Sequence, residues 1–184
     1  MKRKKAGRTR VYNDSTADDS TMRMKFRAAG WLLVVGLFAA GVVHAQDRAT
    51  GWQGVGMDNK TVRFDPDHLK RPVVLLFWAT WCPYCKALMP FVQNVLDAAG
   101  RDGLDVYAID FKEDEDADPA AELRDRGLTF TLVRDGDAIA AQYSVKGTPG
   151  LFLVDTQGRI VYKRTGGDAP EKVEAALRER LHLN

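Results

Sequence analysis

The 184-residue chain has few cysteines and few histidines, two and three respectively. Two cysteines cannot build a disulfide scaffold, and with only three histidines they argue against a structural zinc cluster. Wholly disordered proteins have few apolar residues, but 45% of the residues of this chain are hydrophobic, so it is not wholly disordered. The length allows one domain and a tail rather than two full domains.

A strong charge of one sign is also lacking, because the net charge is only +2. The charge is unevenly distributed, however. Nine of the 27 Lys/Arg and three of the 25 Asp/Glu lie in residues 1–45, which leaves 18 bases and 22 acids in residues 46–184, a net charge of −4. A mildly acidic body gives no support for nucleic-acid binding.

No apolar run has the length of about 20 residues that a membrane-spanning helix prefers. The longest run is Ala28 to Val43, which follows a basic segment at 22–27 and precedes the small residue Ala45. This order is typical of a secretory signal peptide at 22–45, cleaved after Ala45. An uncleaved N-terminal anchor is the alternative, and a lipoprotein is excluded because no cysteine is near the cleavage site.

The first 21 residues are polar and predict a disordered or untranslated leader. They are long for the basic start of a signal peptide, so we expect translation to begin at Met22 or Met24. An N-terminal peptide from residues 2–20 in native protein would contradict this. The working domain is then residues 46–184, located in the periplasm.

The domain alternates apolar strand-like runs with helical segments. Residues 72–78 form a continuous apolar run, typical of a strand buried on both faces. Pro83 suits the first position of a helix that contains Pro90. Residues 51–57 are expected to be a loop or weak edge strand, and 139–143 a short helical or extended segment. Strands are predicted at 61–64, 72–78, 104–110, 128–133, 151–155 and 159–163, and helices at 83–99, 119–126 and 170–181. This order predicts an α/β domain with a mixed sheet and helices on both sides.

The two cysteines have C-x-x-C spacing where the strand at 72–78 meets the next helix. A thiol in the first turn of a helix is close to the helix dipole and to free backbone N–H groups, which stabilise its thiolate. Cys85 lies about one turn after Cys82, so the pair can form a reversible disulfide. Cys82 is expected to be the exposed nucleophile and Cys85 the thiol that resolves a mixed disulfide.

Two other interpretations of the pair have less support. An inert disulfide across four residues would restrict the unfolded chain little and would contribute little stability. A metal site is disfavoured because there is no second C-x-x-C and because His68 and His182 are the only histidines after the leader. We therefore expect redox chemistry that needs no metal and no cofactor.

Three motifs resemble those of the thioredoxin superfamily, and most of all the exported TlpA/ResA-like thiol–disulfide oxidoreductases. They are Phe77-Trp-Ala-Thr-Trp-Cys-Pro-Tyr-Cys-Lys86, Pro90 in the following helix, and Gly147-Thr-Pro-Gly150. The resemblance covers about residues 61–181. It implies a thioredoxin-like fold, a central mixed β-sheet flanked by helices, with an N-terminal strand extension and an insertion at about 112–133.

The resemblance also implies roles for individual residues. Cys82 would be the attacking nucleophile and Cys85 the resolving thiol. Thr148-Pro149 would be the cis-proline loop that faces the cysteines and pairs with the substrate backbone. The substrate-binding residues that it implies are Trp81, Pro83, Tyr84, Thr148 and Pro149.

Some positions depart from the superfamily. Leu76 stands where thioredoxin has a buried aspartate that assists proton transfer. Ala87 and Leu88 stand where some relatives have a glutamate, so no proton acceptor for Cys85 is identified. The Pro-Tyr dipeptide between the cysteines differs from the Gly-Pro of thioredoxin and resembles that of glutaredoxins, which weakens the case for a strong reductant.

Four other features have plain structural interpretations. Trp78 is expected to pack in the core and Lys86 to face solvent. The acidic run at 113–118 is expected to be a solvated loop rather than a docking surface. Phe130 and Val133 either line a groove near the site or pack in the core.

The predicted function is that of an exported protein-disulfide reductase. In relatives, such enzymes reduce apocytochrome c or other extracytoplasmic thiols. Expected partners are protein disulfide or thiol substrates and a membrane thiol-electron donor, with no nucleic acid and a monomeric chain. A disulfide oxidase or isomerase would use the same residues. A copper-binding chaperone on the same scaffold is the alternative from another class, although such proteins have C-x-x-x-C and a distal histidine. A peroxidase is disfavoured because the Thr-x-x-Cys surroundings are absent.

Overall fold

The computed structural model describes residues 47–164 and 167–184. The leader predicted at 1–21 and the signal peptide predicted at 22–45 lie outside the described residues. Within the described ranges, no helix is both long enough and apolar enough to cross a membrane.

Seven strands and four helices follow one another along the described chain. The strands are β1 (Trp52–Val55), β2 (Thr61–Phe64), β3 (Val73–Trp78), β4 (Asp105–Asp110), β5 (Thr131–Val133), β6 (Gly150–Val154) and β7 (Ile160–Arg164). The helices are α1 (Pro83–Ala99), α2 (Pro119–Asp125), α3 (Asp137–Gln142) and α4 (Pro170–Leu181).

Five of the strands form a mixed sheet in the order β5-β4-β3-β6-β7. Strands β3, β4 and β5 are parallel, and α1 and α2 make the two crossovers between them. Strand β6 pairs antiparallel with both β3 and β7, and with β7 it forms a hairpin. Strands β1 and β2 form a separate antiparallel pair, which is the N-terminal extension.

The central strand β3 is buried on both faces, as its continuous apolar run predicts. Val74, Leu76 and Trp78 point to one side, where the buried residues of α1 and α4 pack. Val73, Leu75 and Phe77 point to the other side, towards α3 and the β1–β2 pair. Because each fully buried large apolar side chain contributes about 1.5–3 kcal/mol, β3 is a firm support for the residues that follow it.

Helix α1 starts where the sequence predicts. Pro83 occupies its first turn, and the helix runs without a break past the exposed Pro90 to Ala99. Gly100 ends it with a φ of 71°, a conformation that costs glycine little. The buried face of α1 consists of Cys85, Leu88, Met89, Val92 and Val95.

Three local predictions are resolved or corrected by the structure. The segment at 51–57 contains strand β1, and the segment at 139–143 lies mostly in helix α3. The strand predicted at 128–133 is shorter, because β4 offers partners only to residues 131–133 through Tyr107–Ile109.

Candidate active site

The cysteine pair lies between the end of β3 and the start of α1, and the two sulfurs form a disulfide with a Cα–Cα distance of 5.3 Å. Cys82 is the N-cap residue of α1, and the backbone N–H of Cys85 donates a hydrogen bond to its Sγ at 3.1 Å. In the reduced protein the same N–H and the helix dipole would favour a Cys82 thiolate. The pair can thus exist as a disulfide or as a dithiol with an activated first sulfur.

The disulfide is buried, but the residues around it are not. The prediction of an exposed Cys82 is wrong for the disulfide form, in which Cys82 is 2% exposed and Cys85 is fully buried. By contrast, Trp81 is 50% and Tyr84 73% exposed. Pro83 is exposed as well. Exposed aromatic side chains in a cluster are typical of a surface that binds another molecule. These three residues, predicted to bind substrate, therefore form an apolar rim around the sulfurs.

The loop predicted to contain a cis-proline has that geometry, since the Thr148–Pro149 peptide bond is cis. Thr148 and Pro149 line a cavity of about 570 Å³ together with Tyr84. The structure thus brings both halves of the predicted site to one cavity, although 64 residues of sequence separate Tyr84 from Thr148.

The residues just before the cysteines are held by a loop whose role the sequence did not reveal. The Glu113 carboxylate accepts hydrogen bonds from the Thr80 backbone N–H and from the Thr80 hydroxyl, each at 2.7 Å. The Trp81 indole N–H donates to the backbone carbonyl of Lys112 at 2.7 Å. Residues 112–113 therefore fix the strand-to-helix turn that presents Cys82.

This anchoring corrects the prediction of a merely solvated loop at 113–118. Glu113 is half-buried and bonded to the site, whereas Asp114 to Asp116 are exposed as expected. Asp118 accepts a hydrogen bond from the Ala121 N–H and caps α2. A short acidic run gave no signal that its first member would reach the turn before Cys82.

The buried carboxyl Asp110 lies at the end of β4, in register with Trp78 of β3. Burial raises the pKa of Asp110 from its usual 3.8 to about 7, a hydrogen bond from the Asp135 N–H opposes this rise, and the charge of Glu113 adds to it. The resemblance to thioredoxin did not point to Asp110, because the position of the buried thioredoxin aspartate is occupied by Leu76, which is buried among apolar residues.

A buried arginine holds the cis-proline loop by a hydrogen bond to its backbone. Arg164 is 6% exposed, and its guanidinium donates to the backbone carbonyls of Pro149 and Asp168, each at 3.0 Å. Its Nε has no hydrogen-bond partner among the described residues. The sequence places Arg164 at the end of a strand and gave no sign of this contact.

Three remaining predictions concern packing. Trp78 is fully buried in the core, which confirms its structural interpretation. Phe130 and Val133 are also core residues, 7% and 0% exposed, and so do not form an exposed groove. The prediction for Lys86 is wrong, because its ammonium pairs with Glu122 of α2 at 3.2 Å.

Comparison with known proteins identifies the family of the chain. The sequence matches the AhpC/TSA family over residues 45–163. It is 32% identical to thiol-disulfide oxidoreductase ResA of Bacillus cereus over 108 residues, 58% of this chain and 62% of that protein. It is 31% identical to thiol:disulfide interchange protein DsbE of Haemophilus influenzae over 118 residues, 63% of this chain and 62% of that protein. The matches thus span less than two thirds of these relatives.

Solved structures show the fold. The thioredoxin domain of a thiol-disulfide oxidoreductase from Bacteroides vulgatus has a TM-score of 0.58 at 22% identity, covering 72% of this chain and 96% of that domain. StoA of Bacillus subtilis has a TM-score of 0.53 at 20% identity, covering 68% of this chain and 95% of its own. The predicted thioredoxin-like fold is therefore confirmed, and the chain belongs to the AhpC/TSA family, with the ResA and DsbE proteins among its relatives.

Proposed function

We propose that the protein is an exported thiol–disulfide oxidoreductase that reduces disulfides of extracytoplasmic proteins in the periplasm. The observation that carries the proposal is the cysteine pair itself. A reversible disulfide caps a 17-residue helix, inside an exposed aromatic rim and next to a cis-proline loop. The names of the ResA and DsbE relatives, thiol-disulfide oxidoreductase and thiol:disulfide interchange protein, support this activity. The signal-peptide pattern at 22–45 supports export.

The reaction follows from the two sulfurs. The Cys82 thiolate attacks one sulfur of a substrate disulfide, the substrate S–S bond breaks, and the leaving thiolate takes up a proton. The Cys85 thiol then loses its proton and attacks the Cys82 sulfur of the mixed disulfide. The second substrate thiolate leaves and is protonated. The substrate gains two electrons and two protons, and the protein dithiol becomes the Cys82–Cys85 disulfide.

Each turnover leaves the protein oxidised, so a donor of two electrons has to regenerate the dithiol. We propose a membrane thiol-electron donor for this step, and apocytochrome c as one substrate class. The Cys82–Cys85 disulfide is the oxidised half of that cycle. The same residues would run the reaction backwards if the disulfide were the less stable form, as in an oxidase or isomerase.

The reduction potential of the cysteine pair tests the proposed direction. The protein is equilibrated in glutathione buffers, and the dithiol fraction is measured by alkylation. A potential at or below about −250 mV, near that of thioredoxin, is expected for a reductase. A potential of about −120 to −180 mV would contradict the reductase and favour an oxidant or isomerase.

A further inference from the structure

The cavity beside the cysteine pair is lined by three cations and, among the described residues, by no anion. Lys146, Lys163 and Arg164 line it, and no acidic side chain is among its described lining residues. The same cavity is lined by Tyr84, which lies between the two cysteines in sequence, and by Thr148 of the cis-proline loop. A molecule that fills the cavity therefore also contacts the rim of the disulfide.

These cations have no carboxylate partner in the described structure. The described lysines that form ion pairs are Lys60 and Lys86. The Lys163 ammonium lies over the Phe152 ring, 5.3 Å from its centre. The Lys112 ammonium, a fourth cation, donates to the Lys146 carbonyl at 3.0 Å.

The buried guanidinium of Arg164 is a second reason why the cavity favours an anion. Arg164 bonds only to backbone carbonyls among the described residues, and its Nε is without a partner. A buried charge that lacks an opposite charge is costly, so a carboxylate arriving in the cavity would lower the energy of this arrangement.

The charge of this cavity is opposite to that of the domain. Residues 46–184 carry a net charge of −4. A second cavity, of about 590 Å³, includes Glu113 in its lining and has the reverse charge, with Arg134 as its one described cation. Its acidic residues are Asp110, Glu113, Asp114, Glu115, Asp118, Asp135 and Asp137. Basic residues thus line the cavity at the cis-proline loop, and acidic residues line the second cavity.

We propose that the cavity beside Tyr84 and Pro149 selects substrates in which Asp or Glu residues flank the reacting disulfide. The inference rests on the proposed function and adds the substrate class. Lys146 and Lys163 are the specificity-determining residues, because both line the cavity and both are exposed to an incoming molecule. The occupant is an acidic polypeptide segment, whose backbone lies along the cis-proline loop.

Three peptides of equal length test the preference. Each has one intramolecular disulfide flanked by three Glu, three Gln or three Lys residues. The reduced full-length protein is mixed with each peptide at 20 mM and 500 mM NaCl. Acid quenching and alkylation then give the second-order rate constant for peptide reduction.

Exposed ion pairs contribute modestly, so each lysine is expected to change the rate by roughly threefold at low salt. The Glu peptide should therefore react about tenfold faster than the Lys peptide. High salt should reduce this ratio of the two rate constants, because it screens the charges. In the double variant Lys146→Gln, Lys163→Gln, the ratio should fall most of the way to one, and the remainder is the contribution of Arg164, which still lines the cavity.

The matched control is Lys70→Gln. Lys70 is exposed and precedes β3, so it lies at the end of the sheet opposite the cysteines, about 20 Å away along the strand. This variant should keep the full ratio. Because every variant retains the basic leader, attraction of peptides by residues 1–45 is the same in all.

Equal rates for the three peptides would overturn the inference while leaving the proposed function intact. A loss of preference in Lys70→Gln as large as in the double variant would overturn it too. If no peptide were reduced at all, the proposed function would fail, and the inference would fail with it.

Discussion

In the proposed mechanism, Cys82 and Cys85 have different roles because they differ in position on the same helix. Cys82 precedes the first turn and accepts the Cys85 N–H, whereas Cys85 lies on the buried face of α1. Cys82 is therefore the sulfur nearer the surface, 2% exposed against 0% for Cys85, and we expect a substrate to meet it first. The two cysteines are not interchangeable in disulfide exchange.

Serine substitutions separate the two roles. Cys82→Ser is expected to abolish disulfide reduction because no nucleophile remains at the helix N-terminus. Cys85→Ser is expected to accumulate mixed disulfides between Cys82 and substrate, visible as adducts on non-reducing gels and by mass spectrometry. An active Cys82→Ser protein would contradict the mechanism.

Glu113 is a positioning residue that acts through Thr80. Its carboxylate holds the Thr80 N–H and hydroxyl, two residues before Cys82. Glu113→Ala removes both acceptors, and a small displacement of a reacting sulfur is enough to lower the exchange rate, by roughly tenfold. Glu113→Gln keeps one acceptor and should recover part of the rate.

The control for Glu113 is the exposed neighbour Glu115. Glu115→Ala should leave the second-order rate constant and the reduction potential unchanged. If Glu113→Ala altered only the melting temperature, and neither of those two quantities, the positioning role would be wrong.

At the scale of elements, the N-terminal segment is tied to helix α3 through Tyr143, whose ring lies in the core. Its hydroxyl donates to the Thr50 carbonyl at 2.7 Å and accepts from the Thr50 N–H at 3.1 Å. Burial raises the pKa of Tyr143 to about 12, so the hydroxyl remains protonated at neutral pH. These two bonds hold the chain that leads into β1.

Tyr143→Phe is expected to lower the free energy of unfolding by about 1–3 kcal/mol, because two backbone groups of Thr50 lose their partner. Urea denaturation measures this difference. Tyr107→Phe is the matched control, since the Tyr107 ring packs against Trp52 and Phe64 and its hydroxyl has no hydrogen bond to a described residue. A cost for Tyr107→Phe as large as for Tyr143→Phe would contradict this account.

The insertion is joined to the rest of the domain by an ion pair between helices. Lys86 of α1 contacts Glu122 of α2, and Glu122 also accepts from Arg126 at 2.5 Å. The hydrogen bond from Arg126, with that from Lys86, lowers the pKa of Glu122. The expectation of a free surface lysine failed because α2 packs beside the start of α1, a neighbourhood that helical periodicity does not reveal.

For the whole molecule, the pH dependence of stability depends on Asp110. Its pKa is about 7 in the folded protein, above the usual 3.8 of an unfolded aspartate. Below pH 3.8 both states are protonated. Between pH 3.8 and 7 the unfolded state loses the proton that the folded state keeps, so the free energy of unfolding falls as pH rises through this window.

Asp110→Asn removes this dependence. We expect the variant to gain stability relative to the wild type as the pH rises from 5 to 8, by ~1 kcal/mol or more. Urea titrations of both proteins at several pH values measure the gain. The exposed Asp114 provides the control, since Asp114→Asn should show a constant difference from the wild type. A constant difference for Asp110→Asn as well would contradict the raised pKa.

The order of elements and the redox pair were determined by the sequence itself. An apolar run such as 72–78 is a strand buried on both faces wherever it lies, and C-x-x-C followed by a helix places two thiols one turn apart. Such signals depend on neighbours within about ten residues. They were enough to predict the fold class and both cysteines.

Tertiary structure alone decided which distant groups surround those thiols. Glu113, Asp110 and Arg164 reach the site or its supports through crossovers and strand pairings that bring together residues far apart in sequence. No local pattern encodes such contacts. The charge of the cavity beside Tyr84 arises in the same way, because the loop at 144–150 and strand β7 meet only after the sheet has formed.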